Sequence, residues 1–473
     1  MDPAPKRRIN RVNLTRRHLL AGSGAVLAAS ALPRASRAAP VSLEARTARV
    51  QLTPETYPAT EVWGYDGRSP GPELRLRQDE RLQRRLVNRL AQPTTIHWHG
   101  IRIANAMDGV PGLTQQAVPP GQSFDYDFVL PDAGTYWYHA HQASAEQVAR
   151  GLSGPLIVEE AEAPEVDHDL ALMLDDWRID PATGQIADDF GNLHDLSHAG
   201  RYGNLVTTNG AFDFARDLRP NDRLRLRLIN AANARIFELG LSGLEGWVVA
   251  LDGMPLPAPR PLTEALVLAP AQRADLIVDV TAKAGETAWL ARAERDGAVG
   301  QARFPVAGTG TKPRRDAPAP LPPNPRMEVT GLADARSISF RMEGGAMGRM
   351  QAAVLDGKRQ SFRDLMQAGQ FWAFNGVVGR TETPLVTAAR GETLRLPIVN
   401  DTAFPHAMHL HGHHFREVRS DGTLGPMRDT LLVMSGETRE IAFVADNPGD
   451  WLFHCHMLSH AAAGMTTWLR VTA

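Results

Sequence analysis

Three stretches of the chain repeat one pattern, in which a tight turn precedes a strand whose residues alternate in polarity. The turns lie roughly 140 to 170 residues apart, at 65–67, 209–210 and 375–376. Alternating segments follow them at 74–77, 224–228 and 391–396. Side chains of a strand point to its two faces in turn, so this alternation favours half-buried strands. The repeats therefore predict an all-β fold of three related β-sandwich domains.

The domain boundaries are expected where the strand and turn signals lapse. We predict domains at residues 40–160, 166–308 and 327–473, joined before the last by a semi-rigid linker at 311–326 that is rich in Pro, Ala and Arg. A chain of 473 residues is too long for one typical domain. Three such sandwiches can bury adequate cores as a monomer.

Residues 1–38 have the composition of an export signal. They hold eight Lys or Arg residues and one Asp, with Arg16-Arg17 before an apolar Gly/Ala-rich run and a small-residue cleavage site at 36–39. The paired arginines predict the twin-arginine route and a periplasmic or otherwise exported protein. A membrane anchor fits less well, because the apolar run is too short to span a bilayer.

The charge left after removal of this signal excludes some partners. The whole chain has a formal net charge of −2, so the remainder carries about −9. That charge argues against nucleic acid or an anionic membrane surface as a partner. One cysteine also means that the chain has no internal disulfide.

Histidines are clustered in a way that indicates metal binding. The chain has 16 His and five His-x-His pairs, where chance predicts about half of one pair. In a strand, both rings of such a pair lie on one face, which suits a metal site. A single Cys or Met, in contrast, is usually a buried core residue.

The most informative stretch surrounds Cys455. In an extended strand, His454 and His456 point one way and Cys455 the other, so one strand can serve two metal sites. A thiolate, two imidazoles and a long axial thioether form a blue-copper site, and Cys455, His460 and Met465 supply three of these four ligands. The second imidazole must come from elsewhere in the chain.

Four stretches, at 95–100, 136–141, 404–412 and 451–465, together resemble the four copper motifs of the multicopper oxidase family. The resemblance covers residues 40–473 and is nearest to bacterial laccase-like and cuprous-oxidase-like members. It implies three cupredoxin-like Greek-key β-sandwich domains and four copper ions per chain: one type 1, one type 2 and two type 3. The family pattern implies these ligands: His406, Cys455, His460 and Met465 for type 1; His97 and His409 for type 2; His99, His139, His141, His411, His454 and His456 for type 3.

The resemblance also implies the reaction. Single electrons from a small molecule or metal ion would enter at the type 1 copper, through an exposed edge of His406 or His460, and dioxygen would be reduced to water at the trinuclear centre. Asp108 resembles the family's acid near that centre and is the candidate proton donor; a turn aspartate before Gly109 is the other interpretation. Many bacterial members carry a glutamate where this chain has Ala461.

The electron donor is the least determined part of the function. Met342, Met347 and Met350 could bind Cu(I), although flexible packing residues are the favoured interpretation. His194 and His198 are four residues apart and could form a weak metal pair on a helix, with a solvated loop as the favoured alternative.

We therefore predict a multicopper oxidase that oxidises phenols, aromatic amines or metal ions. Alternatives are a cuprous oxidase in periplasmic copper tolerance and, less favoured, a non-catalytic cupredoxin-like scaffold. A two-domain nitrite reductase and a simple electron-transfer cupredoxin fit less well, because neither explains the third repeat and all the histidine clusters.

Overall fold

A computed structural model describes residues 40–310 and 312–473 of the chain. The predicted export signal lies outside the described residues. The regular structure of the described chain is mainly β-strand, and its six larger sheets form three successive pairs, which confirms the all-β, three-domain prediction. The boundaries at individual residues stay predictions.

The first sandwich lies within residues 40–160, all of which the structure describes. Its strands are β1 (Val41–Val50), β2 (Thr60–Tyr65), β3 (Leu74–Arg77), β4 (Arg81–Asn88), β5 (Ile96–His99), β6 (Ser123–Val129), β7 (Gly134–Ala140) and β8 (Ser153–Glu159). They form two four-stranded sheets, in the orders β2-β1-β4-β6 and β3-β8-β7-β5. In the second sheet, β5 and β7 are adjacent antiparallel strands: β5 carries His97 and His99, and β7 carries His139, with His141 directly after its end.

The middle sandwich lies within residues 166–308, again fully described. Its strands are β9 (His168–Trp177), β10 (Ile179–Asp180), β11 (Gln185–Ile186), β12 (Leu205–Thr208), β13 (Arg223–Asn230), β14 (Phe237–Ser242), β15 (Leu244–Leu251), β16 (Met254–Pro261), β17 (Leu266–Leu268), β18 (Arg273–Val280), β19 (Thr287–Glu294) and β20 (Gly297–Pro305). The two main sheets have the orders β12-β9-β13-β18-β15-β16 and β17-β14-β19-β20.

The third sandwich follows the linker. Its strands are β21 (Arg336–Ser337), β22 (Phe340–Gly344), β23 (Ala352–Leu355), β24 (Lys358–Ser361), β25 (Trp372–Phe374), β26 (Val386–Ala389), β27 (Glu392–Asp401), β28 (His406–Leu410), β29 (Phe415–Val418), β30 (Leu424–Arg428), β31 (Thr430–Val433), β32 (Thr438–Ala445), β33 (Gly449–Cys455) and β34 (Thr466–Thr472). One sheet has the order β26-β34-β33-β28-β31 and so places the two copper-motif strands, β28 and β33, side by side.

Helices are short and lie in connections. They are α1 (Ser144–Gln147), α2 (Leu193–Ser197), α3 (Phe362–Gln367) and α4 (Leu458–Ala462), with single 3₁₀ turns at Asn105–Met107 and Leu332–Asp334. The segment with His194 was expected to be a loop and is instead helix α2, whose N-cap Asn192 accepts a hydrogen bond from the His194 amide. No helix among the described residues combines the length and the apolar character that crossing a bilayer requires.

The apolar core is divided unequally among the three sandwiches. One continuous cluster of buried side chains runs through the first and third sandwiches, from Leu43 to Val471 in the sequence. The middle sandwich has a separate main cluster, centred on the leucines of β13 and their neighbours. The first and third sandwiches therefore share a core, and the predicted metal ligands lie in these two.

Polar residues of β13 are buried as fully as its leucines. The alternation at 224–228 correctly predicts a strand, yet Arg225 and Arg227 are almost completely inaccessible. Arg225 donates to Glu160 of the first sandwich at 2.7 Å and to Asp275 of β18 at 2.6 Å. Because buried charges need such partners, the polar face of this strand is a charged interface between the first two sandwiches and not a solvated surface.

Candidate metal centre

Strand pairing brings the histidine motifs together. In the first sandwich, His97 of β5 lies directly opposite His139 of β7. In the third, His409 of β28 lies opposite His454 of β33, and Met408 lies opposite Cys455. Each pair of adjacent antiparallel strands therefore presents one group of imidazoles at the same level of its sheet.

Eight imidazoles meet in one cluster between the first and third sandwiches. His411 Nε2 lies 3.1 Å from His454 Nε2, and His139 Nε2 lies 3.4 Å from His456 Nε2. Two ring pairs stack across the interface, His97 on His411 at 3.9 Å and His99 on His409 at 3.7 Å between centroids. The structure thus brings together all the residues predicted for the trinuclear centre: His97, His99, His139, His141, His409, His411, His454 and His456.

The outer nitrogens of these rings are held by carbonyl groups. His97 Nδ1 donates to the carbonyl of Asp108, and His409 Nδ1 donates to the carbonyl of Asp429, both at 2.9 Å. His139 and His454 donate in the same way to the carbonyl of the residue that follows each. An acceptor on one ring nitrogen fixes the tautomer and leaves the lone pair of the other nitrogen free.

The opposite nitrogens of the cluster are buried and lack a protein partner among the described residues. They are His97 Nε2, His99 Nδ1, His141 Nε2 and His409 Nε2. Burial also lowers the pKa of His99, His409 and His456, and it lowers the pKa of His141 to about 3. Neutral imidazoles with free lone pairs directed at one another are the form in which histidine binds copper.

A second cluster lies on the other face of β33. Cys455 Sγ is 3.6 Å from His406 Nδ1 and 3.8 Å from His460 Nδ1, and those two nitrogens are 3.1 Å apart. The Met465 amide donates to the His460 carbonyl at 2.9 Å, and the Met465 side chain is fully buried. The prediction that Cys455 faces away from His454 is thereby confirmed.

Hydrogen bonds also determine which ring nitrogen of His406 and His460 faces the sulfur of Cys455. His406 Nε2 donates to the hydroxyl oxygen of Thr402 at 2.8 Å, and His460 Nε2 donates to the carbonyl of His198 at 2.6 Å. Both Nδ1 atoms therefore face the sulfur. Burial raises the pKa of the Cys455 thiol to about 12 in the metal-free protein. The thiolate consequently needs a bound cation, as a metal ligand does.

Comparison with known proteins identifies the family. Three family descriptions, each of a multicopper oxidase, match residues 46–163, 168–311 and 357–473. The chain belongs to the multicopper oxidase family. It is accordingly an oxidoreductase that passes electrons to dioxygen, and copper is the metal of the family.

Individual relatives are similar to this chain over nearly its whole length. "Multicopper oxidase MmcO" of Mycobacterium tuberculosis is 30% identical, over 94% of this chain and 91% of that protein. A crystal structure of Lac15 from a marine microbial metagenome is 45% identical, with a TM-score of 0.75 over 92% of this chain and 100% of that one. A multi-copper oxidase from Pseudomonas thermotolerans is 35% identical, with a TM-score of 0.79 over 91% and 98%.

Asp108 of this multicopper oxidase lies against the outer side of the histidine cluster. Its carboxylate accepts from His411 Nδ1 at 2.9 Å and lies 3.2 Å from His97 Nδ1, with no exposed surface. The aspartate does follow the 3₁₀ turn Asn105–Met107, but its side chain is directed at the histidines and not at the turn. Its proposed role in proton transfer stays a prediction.

The two histidines predicted as type 1 ligands are not exposed, contrary to expectation. His406 and His460 both have 0% exposure. The His198 carbonyl at the end of α2 covers His460, and the rings of His194 and His198 stack outside it at 4.0 Å. The sequence gives no sign of this cover, because α2 belongs to the middle sandwich and lies some 260 residues before His460.

The three methionines proposed for Cu(I) are placed differently. Met342 and Met350 are core residues, with 0% and 8% exposure, as the packing interpretation predicts. Met347 is 77% exposed, and the amide of its neighbour Ala346 donates to the Ser197 carbonyl at 2.7 Å. One exposed thioether therefore lies on a loop that is attached to α2.

A cavity of about 650 Å³ leads from the surface of the oxidase to His141 and His454. Ala461 lines it, and so does Glu146 of α1, which is held by Arg150 at 2.8 Å. Glu146 thus gives this cavity a carboxylate near Ala461, the position at which many bacterial members have a glutamate.

Asp429 also belongs to the site, although no motif in the sequence indicates it. It lies between β30 and β31, is fully buried, and its Oδ1 lies 3.3 Å from His99 Nε2. A single acid just before the apolar run Leu431-Leu432-Val433 was the only available signal. His413 and His414, which have no ligand role in the family pattern, are buried beside the cluster without entering it.

The low pKa values of the buried histidines predict acid sensitivity of the copper-free protein. The pKa is about 4 for His460 and about 3 for His141, against about 6.5 in an unfolded chain. The unfolded state therefore binds more protons below about pH 6.5, and stability falls as the pH is lowered through this range. Thermal unfolding of copper-free protein should show a steady loss of Tm between about pH 6.5 and pH 5.

The exposed His194 supplies the control for this titration. His194→Gln should keep the same loss of Tm, because this exposed residue lies outside both clusters. A Tm that stays constant over this pH range would contradict the assignment of the clusters as neutral, buried imidazoles.

Proposed function

We propose that the chain binds four copper ions: one at His406, Cys455, His460 and Met465, and three among the eight clustered histidines. The observation that carries the proposal is the position of Cys455. Its sulfur faces His406 and His460, while the residues on either side of it, His454 and His456, belong to the other cluster. Copper at these positions would supply one-electron redox chemistry at one site and dioxygen reduction at the other.

The chain's own residues support this division of roles. Consecutive peptide bonds join Cys455 to His454 and His456, so the two clusters are connected covalently over three residues. His406, Cys455, His460 and Met465 are fully buried, whereas the eight-histidine cluster is reached by the cavity at His141 and His454. Asp108, hydrogen-bonded to His411, places a carboxylate where protons are consumed.

The proposed electron donors are phenols, aromatic amines or metal ions, in a laccase-like reaction. Donors would approach at α2, where the carbonyl of His198 contacts His460. His194 is exposed and His198 half-buried, so the outer face of this helix is accessible.

Cys455→Ser tests the copper assignment. Wild-type protein should bind about four copper ions per chain and show an intense blue thiolate absorption, whereas the variant should bind about three and lose both the absorption and the oxidase activity. Copper analysis and visible spectra measure both. About one copper ion per wild-type chain, or none, would exclude the trinuclear assignment and favour an electron carrier or a scaffold.

Asp108→Asn tests the proton donor. The amide oxygen can still accept from His411, but the side chain has lost its acid, so kcat should fall by about a hundredfold or more with copper content unchanged. Steady-state oxygen consumption measures this. The exposed Asp125→Asn is the control, and an unchanged kcat in Asp108→Asn would refute the role.

Cuprous oxidase is the second candidate function, and Met347 is the observation that favours it. Its exposed thioether is a soft ligand of the kind that Cu(I) prefers, on the loop bonded to α2. Met347→Leu should raise the KM for Cu(I) about tenfold and leave phenol oxidation unchanged.

Met350→Leu provides the matched control for that variant. This buried side chain tolerates a volume-conserving change, so KM for Cu(I) should stay as in the wild type. Equal KM values for Cu(I) in the wild type and Met347→Leu would remove the support that Met347 gives to this candidate.

The proposed location is the periplasm or the cell exterior, reached by the twin-arginine route. Arg16-Arg17 and the apolar run that follows support it. Replacing both arginines by lysine should leave the full-length chain in the cytoplasmic fraction of a bacterial host, whereas Arg7→Lys should not. Export of the doubly substituted chain would contradict the proposed route.

A further inference from the structure

Asp429 is in contact with two histidines from different sandwiches. Its Oδ1 lies 3.3 Å from Nε2 of His99, in the first sandwich, and 3.5 Å from Nδ1 of His409, in the third. Its main-chain carbonyl accepts from the same His409 nitrogen at 2.9 Å. Thr430 donates its hydroxyl to Oδ1 at 2.8 Å, and His414 Nε2 lies 3.7 Å from Oδ2.

The middle sandwich supplies the counter-charge to this carboxylate. Arg273, the first residue of β18, donates from Nη1 to Asp429 Oδ1 at 2.8 Å and from Nη2 to Oδ2 at 2.5 Å. Its remaining donors bond the carbonyls of Thr135 and Ala271. Both Arg273 and Asp429 have 0% exposed side-chain surface. A forked, two-bond contact of this kind fixes the plane of the carboxylate as well as its position.

The direction of these bonds decides which histidine nitrogens are free. His99 donates through Nε2, so its unpartnered Nδ1 is turned into the cluster. His409 donates through Nδ1, so its Nε2 is turned into the cluster. Groups that accept from the outer nitrogen of a metal-binding histidine set both its tautomer and its ring orientation.

We propose that Arg273 is a positioning residue, which holds Asp429 in the plane that orients His99 and His409 toward copper. The middle sandwich contributes none of the predicted ligands, and this ion pair gives it a direct effect on the trinuclear site. The proposal rests on the proposed function, in which His409 is a type 2 ligand and His99 a type 3 ligand.

A simple structural ion pair is the competing explanation, and Arg225 provides the matched control. Arg225 lies on β13, the strand paired with β18, and is likewise fully buried with two acidic partners, Glu160 and Asp275. It also joins the middle sandwich to the first. The side-chain bonds described for Arg225 go to these two acids and to no histidine. Loss of either arginine should therefore lower Tm, but only loss of Arg273 should change the trinuclear site.

The test compares Arg273→Met, Arg273→Lys and Arg225→Met as copper-reconstituted full-length proteins. The measurements are copper per chain, the blue absorption, the electron paramagnetic resonance spectrum of the type 2 copper, and Tm. Arg273→Met should bind type 2 copper about tenfold to a hundredfold more weakly and change its spectrum, with the blue absorption intact. Arg273→Lys should recover part of the copper content.

Each outcome bears on the proposal. Full copper and an unchanged spectrum in Arg273→Met would overturn it, as would equal copper loss in Arg225→Met. If Arg273→Met does not fold, the copper content and type 2 spectrum of Arg273→Lys and Asp429→Asn test the proposal instead. Each of these variants keeps a side chain of similar size and removes the two-bond contact, and wild-type values in both would overturn the proposal. A wild-type protein without a type 2 signal would refute the proposed function instead, so the two failures are distinguishable.

Discussion

Burial of many imidazoles in one place is the constraint on which the rest of this structure depends. An imidazole has two nitrogens, and each must have a partner when water is excluded. Here most outer nitrogens bond main-chain carbonyls or the carboxylates of Asp108 and Asp429, and several inner nitrogens face one another without a protein partner among the described residues. The two sandwiches that hold the histidines share one apolar core, which keeps the facing rings in register.

Much of this arrangement could be predicted from local sequence. The two-residue period of a strand is enough to place His454 and His456 on one side of β33 and Cys455 on the other, and the repeated turn and strand pattern gives three sandwiches. Both follow from geometry within a few residues of chain. The eight-histidine cluster required the family resemblance as well, since its strands come from opposite ends of the chain.

Features that depend on packing between sandwiches could not be predicted in this way. Asp429 and Arg273 are ordinary residues in the sequence and become partners only when the middle and third sandwiches pack together. The alternating arginines of β13 resemble a solvated strand face, and only the acids of the neighbouring sandwich make their burial possible. The cover over His460 likewise comes from a distant helix. In each case the deciding contact lies outside the local pattern.

The cover that α2 places over His460 has a consequence for the chemistry of the proposed type 1 site. A donor bound at the outer face of α2 would be separated from His460 by the main chain of residue 198, so it would not become a ligand of a metal bound there. Electron transfer from such a donor would be outer-sphere. Selection among donors would then depend more on their reduction potentials and on how closely they approach α2 than on a shaped binding pocket.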